Sequence, residues 1–257
     1  MRKITAGLFI SLDGVVEAPD QWHFPYFNEE MGAAVDATLG AADTILFGRK
    51  TYDSFAGAWP EREAAGAEDA PFAKKLGDAR KIVVSNQQLD FTWRNSEQLE
   101  GDLIDAVTAF RNSPGDGTIG MSGSVSVVRQ LLAAGLLDEL HLLVHPIAVR
   151  KGMRLFDEGE PPIPLTLLSA NTFTTGVLNL VYAPAETTTT ASYEDARDHL
   201  RPCHGRGFQV VEVHDIEMRF LQQFFFAVAE QPAQRGIRPQ EPAAYGKEGD
   251  ADRRMFV

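Results

Sequence analysis

Thr118-Ile119-Gly120-Met121-Ser122-Gly123-Ser124, followed by Val125 to Ala134 and then by Gly135-Leu136-Leu137-Asp138-Glu139-Leu140-His141-Leu142-Leu143-Val144, is the stretch from which the rest of the chain can be read. Its small residues spell a turn. Val125, Val128, Leu131 and Leu132 then recur on one side of a short amphipathic helix, and Gly135 stops it. Leu140 to Val144 is apolar on both faces apart from His141, the pattern of a central strand covered by helices. Unpaired N–H groups at the start of such a helix, above a sheet edge, could seat the phosphates of a ligand; glycine and serine serve ordinary turns equally well.

Toward the N-terminus, Ile4, Ala6, Leu8 and Ile10 alternate with Thr5, Gly7, Phe9 and Ser11, which predicts an early strand ending at Ser11-Leu12-Asp13-Gly14. Asp13 is either a turn residue that accepts nearby N–H groups or a pocket carboxylate that orients a heterocycle. The aromatic segment Pro19 to Phe27, with Trp22 and His23 at its centre, either closes over a flat ring or plugs the start of the next helix. Met31, Val35 and Leu39 predict that helix, capped by Asn28.

Asp43 to Tyr52 reads as strand, turn and helix start. Gly48 permits close backbone approach, Arg49 and Lys50 bring positive charge, and Thr51 adds a hydroxyl, a combination suited to dinucleotide phosphates. Phe55 to Pro60 is expected as a loop, with Trp59 as a cleft wall or a core cap, and Glu61 to Gly77 as a solvated polar region. Arg80 to Asn86 is a further strand, whose Ser85 and Asn86 could meet a sugar or phosphate or could close a turn. Leu103, Val107 and Phe110 mark another helix. His145 is an acid or base, or a strand-end hydrogen-bonding residue. Leu165 to Ala170 and Val177 to Tyr182 form an antiparallel hairpin across Asn171 to Gly176. Alternating strands and helices closed by a hairpin predict a three-layer α/β domain with a mixed, mostly parallel sheet.

Pro184-Ala185-Glu186 and threonines 187 to 190 suggest a boundary, giving a domain over 1–184 and an appendage over 185–257. In the appendage, Phe208 to Val213 is a candidate strand and Ile216 to Ala229 a candidate helix. Cys203 is the single cysteine of 257 residues, so an intrachain disulfide is excluded, and its histidine neighbours lack a four-ligand spacing; no metal site is expected. A net charge of −12 argues against a broad nucleic-acid or anionic-membrane surface. No apolar run approaches spanning length, which makes a cytoplasmic location the default expectation.

Several motifs are missing. Gly48-Arg49-Lys50-Thr51 lacks the lead of a P-loop, no G-x-G-x-x-G follows the first strand, and no G-x-S-x-G elbow occurs. A nicotinamide enzyme outside the Rossmann group fits what remains. Ser11-Leu12-Asp13-Gly14, Ile45 to Tyr52, Lys81 to Ser85 and Gly135 to His141, with Pro146 and Gly152-Met153-Arg154-Leu155-Phe156 after them, resemble the dihydrofolate-reductase-like superfamily. The branch is the one similar to the C-terminal reductase domain of bifunctional riboflavin-biosynthesis deaminase-reductases, and the likeness covers residues 1 to about 184.

The resemblance implies an NADPH-dependent reductase and a homodimer. It assigns Gly48, Arg49 and Thr51 to the cofactor phosphates, Ser85 to the adenosine side, Gly123 and Ser124 to the pyrophosphate, and Asp13 to the substrate end, where Asp13 is the candidate catalytic group. The substrate it implies is a small heterocycle, a ribosylaminopyrimidine of the flavin pathway; Trp22 and Trp59 are candidate walls for such a ring, and Arg150, Lys151 and Arg154 are candidates for its phosphate. A pterin reductase and a non-catalytic nucleotide-binding dimer are the alternatives. The chain departs from the family where paired glycines are replaced by Ser122-Gly123 and where Val149-Arg150-Lys151 displaces a glycine to Gly152. No deaminase signature precedes the first strand, so a bifunctional deaminase is not expected.

Overall fold

Alternate residues of β1 (Lys3–Ser11) enter different packed layers, and that alternation organises the molecule. The computed structural model describes residues 1–66, 68–114 and 117–185. Ile4, Ala6, Leu8 and Ile10 face one layer together with Leu46 of β2 (Thr44–Gly48), Ile82 of β3 (Arg80–Val84), Ile119 and Met121 of β5 (Thr118–Ser122), and Leu140 and Leu142 of β6 (Glu139–His145). Helices α5 (Leu103–Arg111) and α6 (Val125–Ala133) cover that layer through Val107, Val127, Val128, Leu131 and Leu132. On the opposite face, Ile45, Phe47 and Val83 pack against Tyr52 of α2 (Arg49–Ala56) and Leu76 of α4 (Ala70–Asp78). Met31 of α1 (Glu29–Val35) packs there on Leu143 and Val177.

With β4 (Ser96–Gln98), β7 (Leu165–Thr172) and β8 (Leu178–Pro184), the sheet order is β4-β3-β2-β5-β1-β6-β8-β7. Strands β1 to β6 are mutually parallel, and β8 and β7 close the sheet as an antiparallel hairpin. This is the expected three-layer α/β fold with a mixed, mostly parallel sheet. The hairpin strands run further than their apolar cores, with a register shift between Leu167 and Ser169.

Several local expectations are met. Asn28 Oδ1 accepts the Met31 N–H at 3.0 Å, and the helix continues through Leu39 as a widened π turn over Asp36–Gly40. Gly135, at φ +66°, ends α6: the Leu136 N–H bonds Leu131 O at 2.9 Å and the Gly135 N–H bonds Leu132 O at 3.1 Å, a Schellman closure.

Others are corrected. Thr118 to Ser122 is strand β5 rather than a turn. Its small residues serve close packing, since a Cβ on Gly120 would sit 2.7 Å from Ala42 Cβ. Phe55 to Pro60 is not an extended loop: α2 runs to Ala56 and α3 (Trp59–Ala65) begins at Trp59, with Pro60 in the first turn, where its missing N–H is no loss. The polar region before β3 is not all solvated, because α4 buries Ala73, Leu76 and Gly77. Strand β4 is three polar residues at the sheet edge and carries no hydrophobic signal. The appendage from residue 186 onward, with its candidate strand, helix and Cys203, lies outside the described residues.

Lys81 is fully buried, and its Nζ donates to the carbonyls of Leu76, Gly77 and Ala79 at 2.8, 2.9 and 2.8 Å. It thereby caps the last turn of α4 from beneath. Burial drives its pKa down to about 8.

Candidate active site

Strands β2 and β5 lie side by side, with Ile45 opposite Gly120, and the helices that follow them leave toward opposite faces of the sheet. A crevice must open between such helix starts at the carboxyl ends of the strands, the usual ligand position in open α/β sheets. Two hydrogen bonds span it. The Gly48 N–H donates to Ser124 Oγ at 2.8 Å, and the Ser124 N–H donates to Thr51 Oγ1 at 3.0 Å. Gly123 and Ser124 are consecutive left-handed residues, at φ 60° and 51°. A Cβ on Gly123 would meet Thr51 Cγ2 at 3.1 Å, so both the left-handed torsion and the tight approach favour glycine there. Neither α2 nor α6 has a side-chain cap. Both therefore present helix-start N–H groups, with the positive end of the helix dipole, to one cleft.

Gly48, Arg49, Thr51, Ser85, Gly123 and Ser124 all line that cleft, so the structure brings the six expected cofactor residues together. Arg49 is ion-paired with Asp53 at 2.8 Å and stays partly exposed, with Lys50 beside it. Ser85 lies just beyond β3. Its Oγ donates to Gln87 O at 2.9 Å and accepts the Gln87 N–H at 3.0 Å, which holds the turn rather than reaching outward. Aromatic rings also line the cleft. Trp59 stands there with its ring 5.2 Å from Phe72 and the Arg62 guanidinium 5.1 Å above it, while Phe24 and Phe27 are exposed to the cleft. Two of the lining cations are neutralised in pairs, Arg62 with Asp69 at 2.7 Å and Lys75 with Asp36 at 2.6 Å. Glu17, Asp20 and Glu68 add negative charge.

A model of the RibD C-terminal domain matches residues 2–179. The chain belongs to the RibD C-terminal domain family. A Bacillus subtilis (strain 168) relative named "Uncharacterized protein YyaP" is 28% identical over 182 residues, covering 70% of this chain and 94% of that protein. The crystal structure of a putative riboflavin biosynthesis protein from Shewanella sp. PV-4 is similar with a TM-score of 0.54 and 18% identity, over 72% of this chain and all of that one. A pyrimidine reductase-like protein from Corynebacterium diphtheriae NCTC gives 0.49 and 17%, over 72% and 93%. At such identities the Shewanella structure speaks to the fold alone.

The remaining expected residues of this RibD C-terminal domain lie elsewhere. Asp13 does not line the cleft. Its carboxylate accepts the Val149 N–H at 3.0 Å, the Arg150 N–H at 2.8 Å and the Ser11 hydroxyl at 2.6 Å, and these bonds, the Ser11 one foremost, lower its pKa to about 2. It clamps the segment after β6, which is the turn-residue reading extended across the chain. Trp22 is buried with its N–H on Glu17 O at 3.0 Å, acting as a plug. Arg150, Lys151 and Arg154 do not line the cleft either, and Arg154 donates to Asp13 O at 2.5 Å. His145 is fully buried, with Nδ1 at 2.8 Å from Leu143 O, the hydrogen-bonding reading.

One cleft residue escaped the sequence reading. His23 is only 7% exposed yet lines the cleft beside Phe9 and Phe24. Its signal was an imidazole set between Trp22 and Phe24, in a segment that in sequence alone reads either as a cover for a flat ring or as a plug. No cluster among the described residues could hold a metal ion, and none of their helices is long and apolar enough to cross a membrane.

Proposed function

We propose that this protein is an NADPH-dependent reductase that delivers hydride to a flat heterocycle of the ribosylaminopyrimidine type, the 5-amino-6-(5-phosphoribosylamino)uracil reductase reaction of riboflavin biosynthesis. The observation that carries the reading is the pair of uncapped helix starts stapled together through Ser124 at one cleft, with Arg49 and Lys50 alongside. That arrangement suits the pyrophosphate and the additional phosphate of NADPH. The cofactor supplies the hydride. The chain holds its phosphates at Gly48 to Thr51 and Gly123-Ser124, takes the adenosine side near Ser85, and walls the reacting ring from bulk water with Trp59, Phe24 and Phe27.

A pterin-type reductase is the second reading, and the substrate end favours it: Arg62 and Lys75 are already ion-paired, and Arg150, Lys151 and Arg154 line no part of the cleft. A homodimer in the cytoplasm belongs to either reading.

Calorimetry of the full-length protein with NADPH and NADH at several salt concentrations tests the cofactor. Salt-sensitive preference for NADPH is expected, and absence of binding to both would end the reductase readings. Turnover of the ribosylaminopyrimidine or of a dihydropterin then selects between them. NADPH binding with neither substrate reduced would favour a non-catalytic nucleotide-binding scaffold.

A further inference from the structure

His23 and His145 share one aromatic box between the sheet and the cleft. His145, at the end of β6, is fully buried, and the edges of Phe9, Trp22 and Tyr26 lie against it at centroid distances of 5.6, 5.2 and 5.7 Å. His23 stacks flat on Phe9 at 4.6 Å and 14°, touches Phe24 at 4.2 Å, and stands perpendicular to His145 at 6.1 Å. Both rings carry a buried nitrogen without a hydrogen-bond partner, Nδ1 of His23 and Nε2 of His145. A purely structural plug gains nothing from such nitrogens, since each costs free energy that a phenyl ring would avoid.

The fold places His23 beside the reacting end of the cleft. If the adenosine lies by β3 and the phosphates lie between β2 and β5, the next strand across is β1, where Gly7 pairs with Ser122 and Phe9 follows two residues on. His23 rides on Phe9, so its ring borders the position left for the reacting ring. The other titratable groups at that end are committed or exposed. Glu17 accepts the Met153 N–H at 2.7 Å, Asp36 and Asp69 are ion-paired, and Asp20 and Glu68 face solvent.

Resting on the reductase reading, we propose that His23 is a catalytic residue: with Nδ1 turned into the box, it presents Nε2 to the cleft and protonates the substrate nitrogen during reduction. NADPH supplies the hydride. A C–H bond forms at the carbon of the substrate C=N, the π pair moves to nitrogen, and an N–H bond forms there as the Nε2–H bond of the His23 imidazolium breaks. The C=N is reduced and the dihydronicotinamide is oxidised; neutral His23 recovers its proton from cleft water. Burial first, and then His145, lower the His23 pKa from 6.5, while Asp20 raises it. These are the titratable and charged groups that bear on it, since Phe9, Phe24, Phe27 and Trp22 complete its surroundings. Reduction therefore slows as pH rises through a midpoint below 6.5.

The test has a readout independent of turnover. Histidine NMR of the wild-type protein should show an imidazole, identified by its loss in His23→Gln, that titrates below pH 6.5 and is perturbed by a dihydropterin added with NADPH. No titration, or no perturbation by the ligand, overturns the assignment. In kinetics with the dihydropterin and the ribosylaminopyrimidine as probes, His23→Gln should lower kcat on the order of 10²-fold or more, flatten the acid-favouring pH profile, and leave the NADPH Kd within about threefold. A wild-type rate and pH profile in the variant overturns the role of His23 and leaves the reductase reading standing. Wild-type protein that oxidises NADPH with neither probe removes both. If His23→Gln does not fold, histidine modification of the wild type by diethyl pyrocarbonate, mapped by mass spectrometry, replaces it: His23 should react, and NADPH with dihydropterin should protect it. An unreactive His23 overturns the proposal.

Discussion

Gly48 and Ser124 are 76 residues apart in the chain, and the N–H of the first donates to the Oγ of the second at 2.8 Å across the crevice between β2 and β5. The bond ties the start of α2 to the start of α6, and Thr51 returns it by accepting the Ser124 N–H. Ser124→Ala removes one half of this staple and leaves the Gly48 donor without its acceptor. Urea unfolding should show a loss of about 1 kcal/mol. Calorimetry should show NADPH binding weakened by roughly fivefold, the equivalent of that loss if the staple preorganises the phosphate seat. A destabilised variant with unchanged affinity would separate the staple from cofactor binding.

Arg49→Glu tests charge where Ser124→Ala tests geometry. The Arg49 side chain is 38% exposed and its partner Asp53 is an i,i+4 neighbour on α2, so the variant should fold with stability within about 0.5 kcal/mol of wild type. NADPH affinity should fall at least tenfold and lose much of its salt dependence if Arg49 faces the phosphates as proposed, because a cation then becomes an anion there. Wild-type affinity in the folded variant would remove Arg49 from the cofactor site.

The sheet and the two helix starts that line the cleft were legible because their signals are local. A period-two apolar run marks β1, short continuous apolar runs mark β2 and β3, and Gly48 to Thr51 and Gly123-Ser124 sit at strand ends, where the chain must turn into a helix. What escaped depends on distance. Gly120 reads as a turn residue until Ala42 is seen packed on it, and β4 has no apolar residue to betray it. Asp13, Arg154 and Trp22 looked available because their partners are backbone groups, and those of Asp13 lie 136 and 137 residues away, a pairing that no periodicity records. His23 was hidden by its aromatic neighbours.

Lys81 gives a prediction about the fold itself. Lys81→Met leaves the carbonyls of Leu76, Gly77 and Ala79 without their donor and should cost about 1–3 kcal/mol at pH 7. The pH dependence has a definite sign. The folded pKa of about 8 lies below the ordinary 10.5, so the unfolded chain binds this proton more tightly, and the group contributes stability that grows as pH rises from about 8 toward 10.5. Denaturant titrations at pH 7, 9 and 10 should show wild type gaining on Lys81→Met over that interval. Parallel curves would mean that the ammonium stays protonated beneath α4 throughout.

Asp13 is the residue at which the two sequence readings make opposite predictions. As a clamp, its two oxygens accept neighbouring N–H groups of Val149 and Arg150, and Arg150 is held at φ 70°, a left-handed torsion unusual for a side chain of its size. Asp13→Asn keeps one accepting oxygen and turns an NH2 group toward the other N–H, so the segment 146–154 should exchange its amide hydrogens faster while NADPH affinity holds. The folded pKa of about 2 lies below the ordinary 3.8, so the carboxylate contributes stability that is fully present above about pH 4 and is lost as pH falls through about 2. The stability gap between wild type and Asp13→Asn should therefore narrow between pH 4 and 2. If amide exchange in 146–154 is unaltered and the variant instead loses turnover with full NADPH binding, the pocket-carboxylate reading replaces the clamp.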